Sequence, residues 1–149
     1  MLLREGVMKK SMQLEQVSIQ SAQTLWNRLS EVQKAEYMVL VYRVLFNHHP
    51  EYKSIFPNDL ERVRDNMTDT INYLIQHLQK PEKMQVVFEC MGVKHSALKI
   101  KAEMFPHMVS SQVEAMDEFF LGLLSTVDLK HWENTMLFLA NGIMQAYPD

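Results

Sequence analysis

Apolar residues recur along this chain at spacings of three and four rather than two, and that period predicts helices from near one end to the other. Leu14, Val17, Leu25, Trp26 and Leu29 mark a first amphipathic helix over 13–29 with a polar, glutamine-rich outer face. Ser30, with Gln33 three residues on, has capping-box spacing and starts a second helix over 31–48. Its stripe is Met38, Val41, Tyr42, Leu45 and Phe46, so Tyr42 is aimed inward. Pro50 ends that helix, and PEYKSIFPND makes a tight corner carrying Phe56 between polar residues. A third helix over 58–79 sets Leu60, Val63, Met67, Ile71, Leu74 and Leu78 on one face.

After a short loop from Gln79 to Lys83, Pro81 stands at the first position of a helix on which Met84, Phe88, Met91 and His95 share one apolar side. That helix ends just past His95, in a polar turn that holds Lys94, Lys99 and Lys101. Pro106 opens the next helix, with Met108, Val113, Met116, Phe120 and Leu123 as its inward stripe. Asp128 suits the N-cap of a last helix, which carries Trp132, Met136, Leu139, Ile143 and Met144 to Pro148. No segment alternates apolar and polar residues long enough for a half-buried strand, so the fold class is all-α. Residues 1–12 have no clear period and read as an N-terminal extension. Residues 13–149 form one domain of six to seven helices, either an up-and-down bundle or helices crossing at steeper angles.

A chain of 149 residues buries about two-thirds of the surface its unfolded form exposes, enough for a core that holds a cofactor. A net charge of -3, with lysines and arginines spread along the chain, argues against a nucleic-acid partner. With Cys90 as the one cysteine there is no intramolecular disulfide, no paired-cysteine zinc site and no CxxC redox motif. No stretch approaches a membrane span, and the opening apolar run is too short for a secretory signal. A cytoplasmic location is therefore expected.

Two residues carry candidate chemistry. On the residues alone, His95 is either a core histidine whose ring nitrogens find partners or a ligand aimed at the interior. Tyr42 needs a partner for its hydroxyl, which is either a backbone carbonyl or a bound molecule.

The run LFNHHPEYKSIF, Leu45 to Phe56, resembles the LFxxxPxxxxxF segment of bacterial single-domain globins, flavohaemoglobin haem domains and neuroglobin-type proteins. GVKHSALKIKAEMFPHM resembles their proximal histidine and the start of the following helix. The resemblance covers about residues 13–147. It implies a globin-like fold around a haem pocket, with haem b (iron protoporphyrin IX) as cofactor. By this likeness His95 is the iron-binding histidine, Phe56 stacks on the haem, Tyr42 faces the gaseous ligand and Met67 overlies the iron. Val63 or Arg64 falls at the distal position often filled by histidine or glutamine. Met91, Ile100, Phe105 and Met108 complete the lining, and Lys94 or Arg64 either pairs with a haem propionate or stays on a solvated face. None of the other five histidines is well placed as a distal ligand.

The likeness implies reversible binding of dioxygen, carbon monoxide or nitric oxide, serving oxygen storage, transport or sensing. Two features depart from the flavohaemoglobin pattern. Tyr147 stands where those proteins have a glutamate that bonds the proximal histidine, and Phe105 replaces their tyrosine. Both argue against nitric-oxide dioxygenase chemistry, and a flavin reductase domain is not expected in the chain, so a reductase would be a separate partner. The alternatives are a haem-free globin-fold interaction or sensory protein, and a haem enzyme acting on nitric oxide, nitrite or peroxide. The chain is expected as a monomer or homodimer.

Overall fold

The computed structural model describes residues 13–56 and 58–148. The extension expected over 1–12 lies outside the described residues. Within them the helices are α1 (Gln16–Asn27), α2 (Glu31–His48), a 3-10 turn (Pro50–Ile55), α3 (Leu60–Gln76), α4 (Pro81–Ala97), α5 (Met104–Phe119) and α6 (Thr126–Gln145). No strand occurs among the described residues, so the chain is all-α.

Local chemistry sets most of these boundaries. The capping box at Ser30 is formed in both directions: the Gln33 N–H donates to Ser30 Oγ at 3.1 Å, and the Ser30 N–H donates to Gln33 Oε1 at 2.8 Å. Pro81 occupies the first turn of α4, where its missing donor costs nothing. The last helix is capped differently from expectation. Ser125 Oγ accepts the Asp128 N–H at 3.0 Å, which puts Asp128 inside the first turn, where its negative charge still suits the helix dipole.

Two inward stripes need correction. Val17 is 50% exposed, while Ser18 and Ile19 are buried, because Ala22, Leu25 and Trp26 set the phase of α1. Burial of Ser18 is tolerated because its hydroxyl meets His131 Nδ1 at 2.9 Å. On α5 the stripe stops early: the helix ends at Phe119, and Leu121 (φ 57°) and Gly122 (φ 73°) take left-handed conformations that turn the chain. Leu123 beyond that turn is 84% exposed.

The core has two unlike ends. At one, Trp26 stacks on Trp132 with centroids 5.9 Å apart, and Tyr37 packs edge-on against both rings. Asn72 Oδ1 there accepts from Trp26 Nε1 at 2.9 Å and from buried Lys34 Nζ at 2.8 Å, which ties α1, α2 and α3 together. At the other end the helices separate. α2 packs on α5, α5 on α6, and α6 on α1 and α4, but consecutive α3 and α4 barely touch. In an up-and-down bundle such neighbours would pack along their length. Here they stand apart, with a cavity between them.

Candidate functional site

The cavity has a volume of about 490 Å³, within the usual range for ligand and cofactor sites. Its walls are α3 and α4, and α2, α5, α6 and the 3-10 corner close the rest.

Helix α4 is anchored by buried Met84 and Phe88 and turned by Gly92. A Cβ on Gly92 would lie 2.6 Å from the Ala146 carbonyl oxygen, so the bare backbone lets α4 approach the end of α6. With that side of the helix pressed on α6, Met91 and His95 border the cavity. His95 Nδ1 lies 2.7 Å from the Met91 carbonyl oxygen. A carbonyl can only accept, so Nδ1 carries the proton and Nε2 keeps its lone pair. No described residue bonds Nε2. Burial lowers the His95 pKa; the Met91 bond opposes this, and the Lys94 charge adds to the lowering. The imidazole is therefore neutral at physiological pH.

Phe105 stacks beside the imidazole, with centroids 5.7 Å apart and planes 26° from parallel, and so restrains the ring. Tyr147 packs edge-on to Phe105 and donates its hydroxyl to the Ile100 carbonyl at 2.7 Å. Burial pushes the Tyr147 phenol up to about 12, so it remains a donor. Tyr147 thus acts on the segment after α4, and the partner of His95 is a backbone carbonyl.

Tyr42, only 4% exposed, borders the cavity with Phe56, packs edge-on to that ring and lies tilted against Phe46 behind it. Its hydroxyl bonds no described residue, so the backbone carbonyl considered from sequence is not its partner. Burial raises its pKa far above the ordinary phenol value, against a smaller opposing effect of the Arg64 charge. The phenol is a permanent donor.

Phe56, Val63, Met67, Lys94, Ile100, Phe105 and Met108 border the same cavity, together with Met91, His95 and Tyr42. Arg64 does not. At the position where sequence left two alternatives, Val63 is in the wall, and Arg64 acts only through its charge on Tyr42. Helical geometry explains this, since adjacent residues point about 100° apart. The other histidines are engaged elsewhere: His48 with Glu114, His49 stacked on His107, His77 with the Tyr73 carbonyl and His131 with Ser18.

Sequence reasoning missed Gln112, Asn66 and Thr70 among the lining, and Tyr52, whose hydroxyl lies 2.7 Å from His107 Nδ1. A signal for Gln112 was present. Phe105, Met108, Val109 and Gln112 follow the i, i+3, i+4, i+7 spacing of one helix face, and Gln112 is its polar member.

Among the described residues no group of three or more His, Cys, Asp or Glu side chains could hold a metal ion. One neutral imidazole in an apolar cavity does not retain a free ion; it would suit a metal that arrives already held by its own organic ligand and takes one nitrogen from the protein. The residues present fit haem in that sense. No described helix is long and apolar enough to cross a membrane.

A model of the globin family matches residues 39–136. A flavohemoprotein of Halalkalibacterium halodurans is 26% identical over 107 residues, which is 70% of this chain and 26% of that protein. The chain thus spans about a quarter of that relative's length. Among solved structures, an engineered carbene transferase made from a Rhodothermus marinus protein named as a nitric oxide dioxygenase superposes with a TM-score of 0.78 at 21% identity. The match covers 86% of this chain and 89% of that one, and it is a likeness of fold.

Proposed function

Because the chain belongs to the globin family, we propose that it binds haem b through His95 and holds a diatomic gas in the cavity beyond that residue. The observation that carries this reading is the state of His95: neutral, with Nδ1–H fixed to the Met91 carbonyl and Nε2, which no described residue engages, at an apolar cavity. When bound, haem would supply the iron that takes the gas.

The chain's own residues do the rest. The Met91 bond fixes the tautomer and Phe105 the ring plane, so the nitrogen that must donate is held ready. Phe56 offers an aromatic face to the macrocycle. Val63, Met67 and Met108 form an apolar wall that excludes water. Lys94 borders the cavity from the last turn of α4, just before the turn that holds Lys99 and Lys101, a setting that suits a propionate. Tyr42 donates a hydrogen bond to a ligand that carries negative charge, which favours dioxygen over carbon monoxide.

Oxygen binding is favoured over chemistry on nitric oxide by the partner of His95. A carboxylate on Nδ1–H would make the imidazole a stronger electron donor, whereas a backbone carbonyl does so weakly. The relative named a flavohemoprotein supports a reductase as the source of electrons, supplied by a separate protein or domain.

The test is a visible spectrum of the purified protein with one equivalent of haem, alongside His95→Gly. Wild type should give a Soret band, and the variant should lose stoichiometric binding while keeping its helical content. A variant with an unchanged Soret band and ferrous spectrum moves the ligand to another residue. No Soret band in the wild type favours the haem-free alternative.

A further inference from the structure

Tyr42 is not the only buried polar side chain at the cavity that lacks a partner among the described residues. Gln112, in the second half of α5, is 4% exposed, and its Oε1 is buried with no hydrogen bond from any described residue. Among the described residues, the bond that another side chain makes to this residue goes to its main chain: the Tyr37 hydroxyl donates to the Gln112 carbonyl at 3.0 Å. A carboxamide oxygen sealed from solvent and left unpaired is costly, and folded proteins rarely leave one so.

Helix geometry fixes where this group sits. Phe105, Met108, Val109 and Gln112 share the face of α5 that borders the cavity, and Phe105 is the residue stacked on His95. Seven residues at 1.5 Å each carry Gln112 about 10 Å further along that wall, away from the histidine. α5 packs there against α2, the helix of Tyr42. The Tyr37 bond pins the α5 backbone at that junction. The polar groups at the cavity that no described residue engages thus include His95 Nε2 near Phe105 and, toward the junction of α2 and α5, the Tyr42 hydroxyl and the Gln112 carboxamide oxygen.

We propose that Gln112 is a second hydrogen-bonding residue of the pocket, a specificity-determining group that acts with Tyr42 on small ligands polar at their outer atom. This rests on the haem reading above. A phenol donates one hydrogen bond, and a carboxamide turned about its last torsion offers either an N–H or an oxygen. The pair suits ligands such as dioxygen or a peroxide, and gives little to carbon monoxide, which gathers less charge.

Gln112→Met keeps the length of the side chain and removes its polar atoms. In the haem-loaded protein it should speed dioxygen release by about threefold to tenfold, the effect of one net hydrogen bond. Carbon monoxide release should hardly change, while the infrared stretch of bound carbon monoxide should shift, since it reports polarity beside the ligand. In the apoprotein the same variant should melt at the wild-type temperature or higher, because no bond within the fold is lost. Unchanged dioxygen release with an unchanged stretch overturns the proposal, and so does a lower apoprotein melting temperature, which would mean that the carboxamide is bonded inside the fold. Failure of the haem reading is seen separately, as a wild-type protein without a Soret band, and the melting comparison still decides whether Gln112 is unpaired.

Discussion

Gly92→Ala tests how the fold aims His95, and the sign of its effect decides between two physical accounts. Gly92 lies three residues before His95, in the interior of α4, where alanine ordinarily stabilises a helix by about 1 kcal/mol over glycine. Here the new Cβ would stand 2.6 Å from the Ala146 oxygen and 2.7 Å from its carbonyl carbon, whereas ordinary contact begins near 3.4 Å. The obstacle is backbone, so it cannot be relieved by a rotamer change, and α4 or the end of α6 must move by close to an ångström. Overpacking of that kind costs about 1–3 kcal/mol, and the upper part of that range outweighs the gain in helix propensity. The net loss of about 1–2 kcal/mol should lower the melting temperature of the apoprotein, followed by circular dichroism at 222 nm, by about 3–6 °C. Because Met91 and His95 ride on the same turn, haem uptake should weaken as well. A variant that melts above wild type would refute the close approach and leave the aim of His95 without this explanation.

Tyr42→Phe removes only the hydroxyl that no described residue engages. It should raise dioxygen release about tenfold or more, since a bond to a partly charged ligand is worth about 1.5–3 kcal/mol, with carbon monoxide release nearly unchanged; equal effects on both gases would point to a steric role. The apoprotein should lose stability in acid through His95. Its folded pKa is below the unfolded value of about 6.5, so the unfolded chain binds the extra proton first, and stability falls as pH drops from about 6.5 through the folded pKa. Urea unfolding at pH 7.5 and 5.5 should show wild type losing more stability than His95→Leu, and equal losses would mean that the histidine is not desolvated.

Most of the helices were legible because a 3.6-residue period and a few cap residues carry them. The Ser30–Gln33 box and Pro81 fix helix starts by local bonds, and both stand where the spacing put them. The misreadings arise where tertiary contacts override local pattern. Val17 looks like part of an apolar stripe, yet Trp26 and its stack on Trp132 set the rotation of α1, and a serine is buried instead. At Ser125 and Asp128 both residues are good caps, and three-residue spacing alone does not say which is the cap and which the third helical residue. The cavity residues on helix stripes, such as Met67, Met91 and Met108, were readable as inward-facing, but their facing a cavity rather than a packed core is a property of how helices separate. Arg64 shows the limit in the other direction. One residue beside Val63, it was the alternative reached by a one-residue shift in sequence, and the phase of α3 puts only its charge within reach of the site.

The two ends of the core divide the work of holding the fold and holding a ligand. Trp26, Tyr37 and Trp132 are fully buried and interlocked, and Asn72 joins three helices beside them, so this end has few alternative packings. The opposite end borders open space with flexible thioethers: Met67, Met91, Met104, Met108 and Met136 all face the cavity. Methionine adapts its shape at small cost, so a lining of this kind can close partly over an empty pocket and reopen around a planar guest. It also leaves α4 held mainly by α6, through Phe88 and the bare face of Gly92, with almost no support from α3. A molecule bridging α3 and α4 would supply the contact that the chain omits, and its binding free energy would add directly to the stability of the folded state. On that account the weak junction between two consecutive helices is what couples folding to occupancy, and His95 stands at the point where the coupling is made.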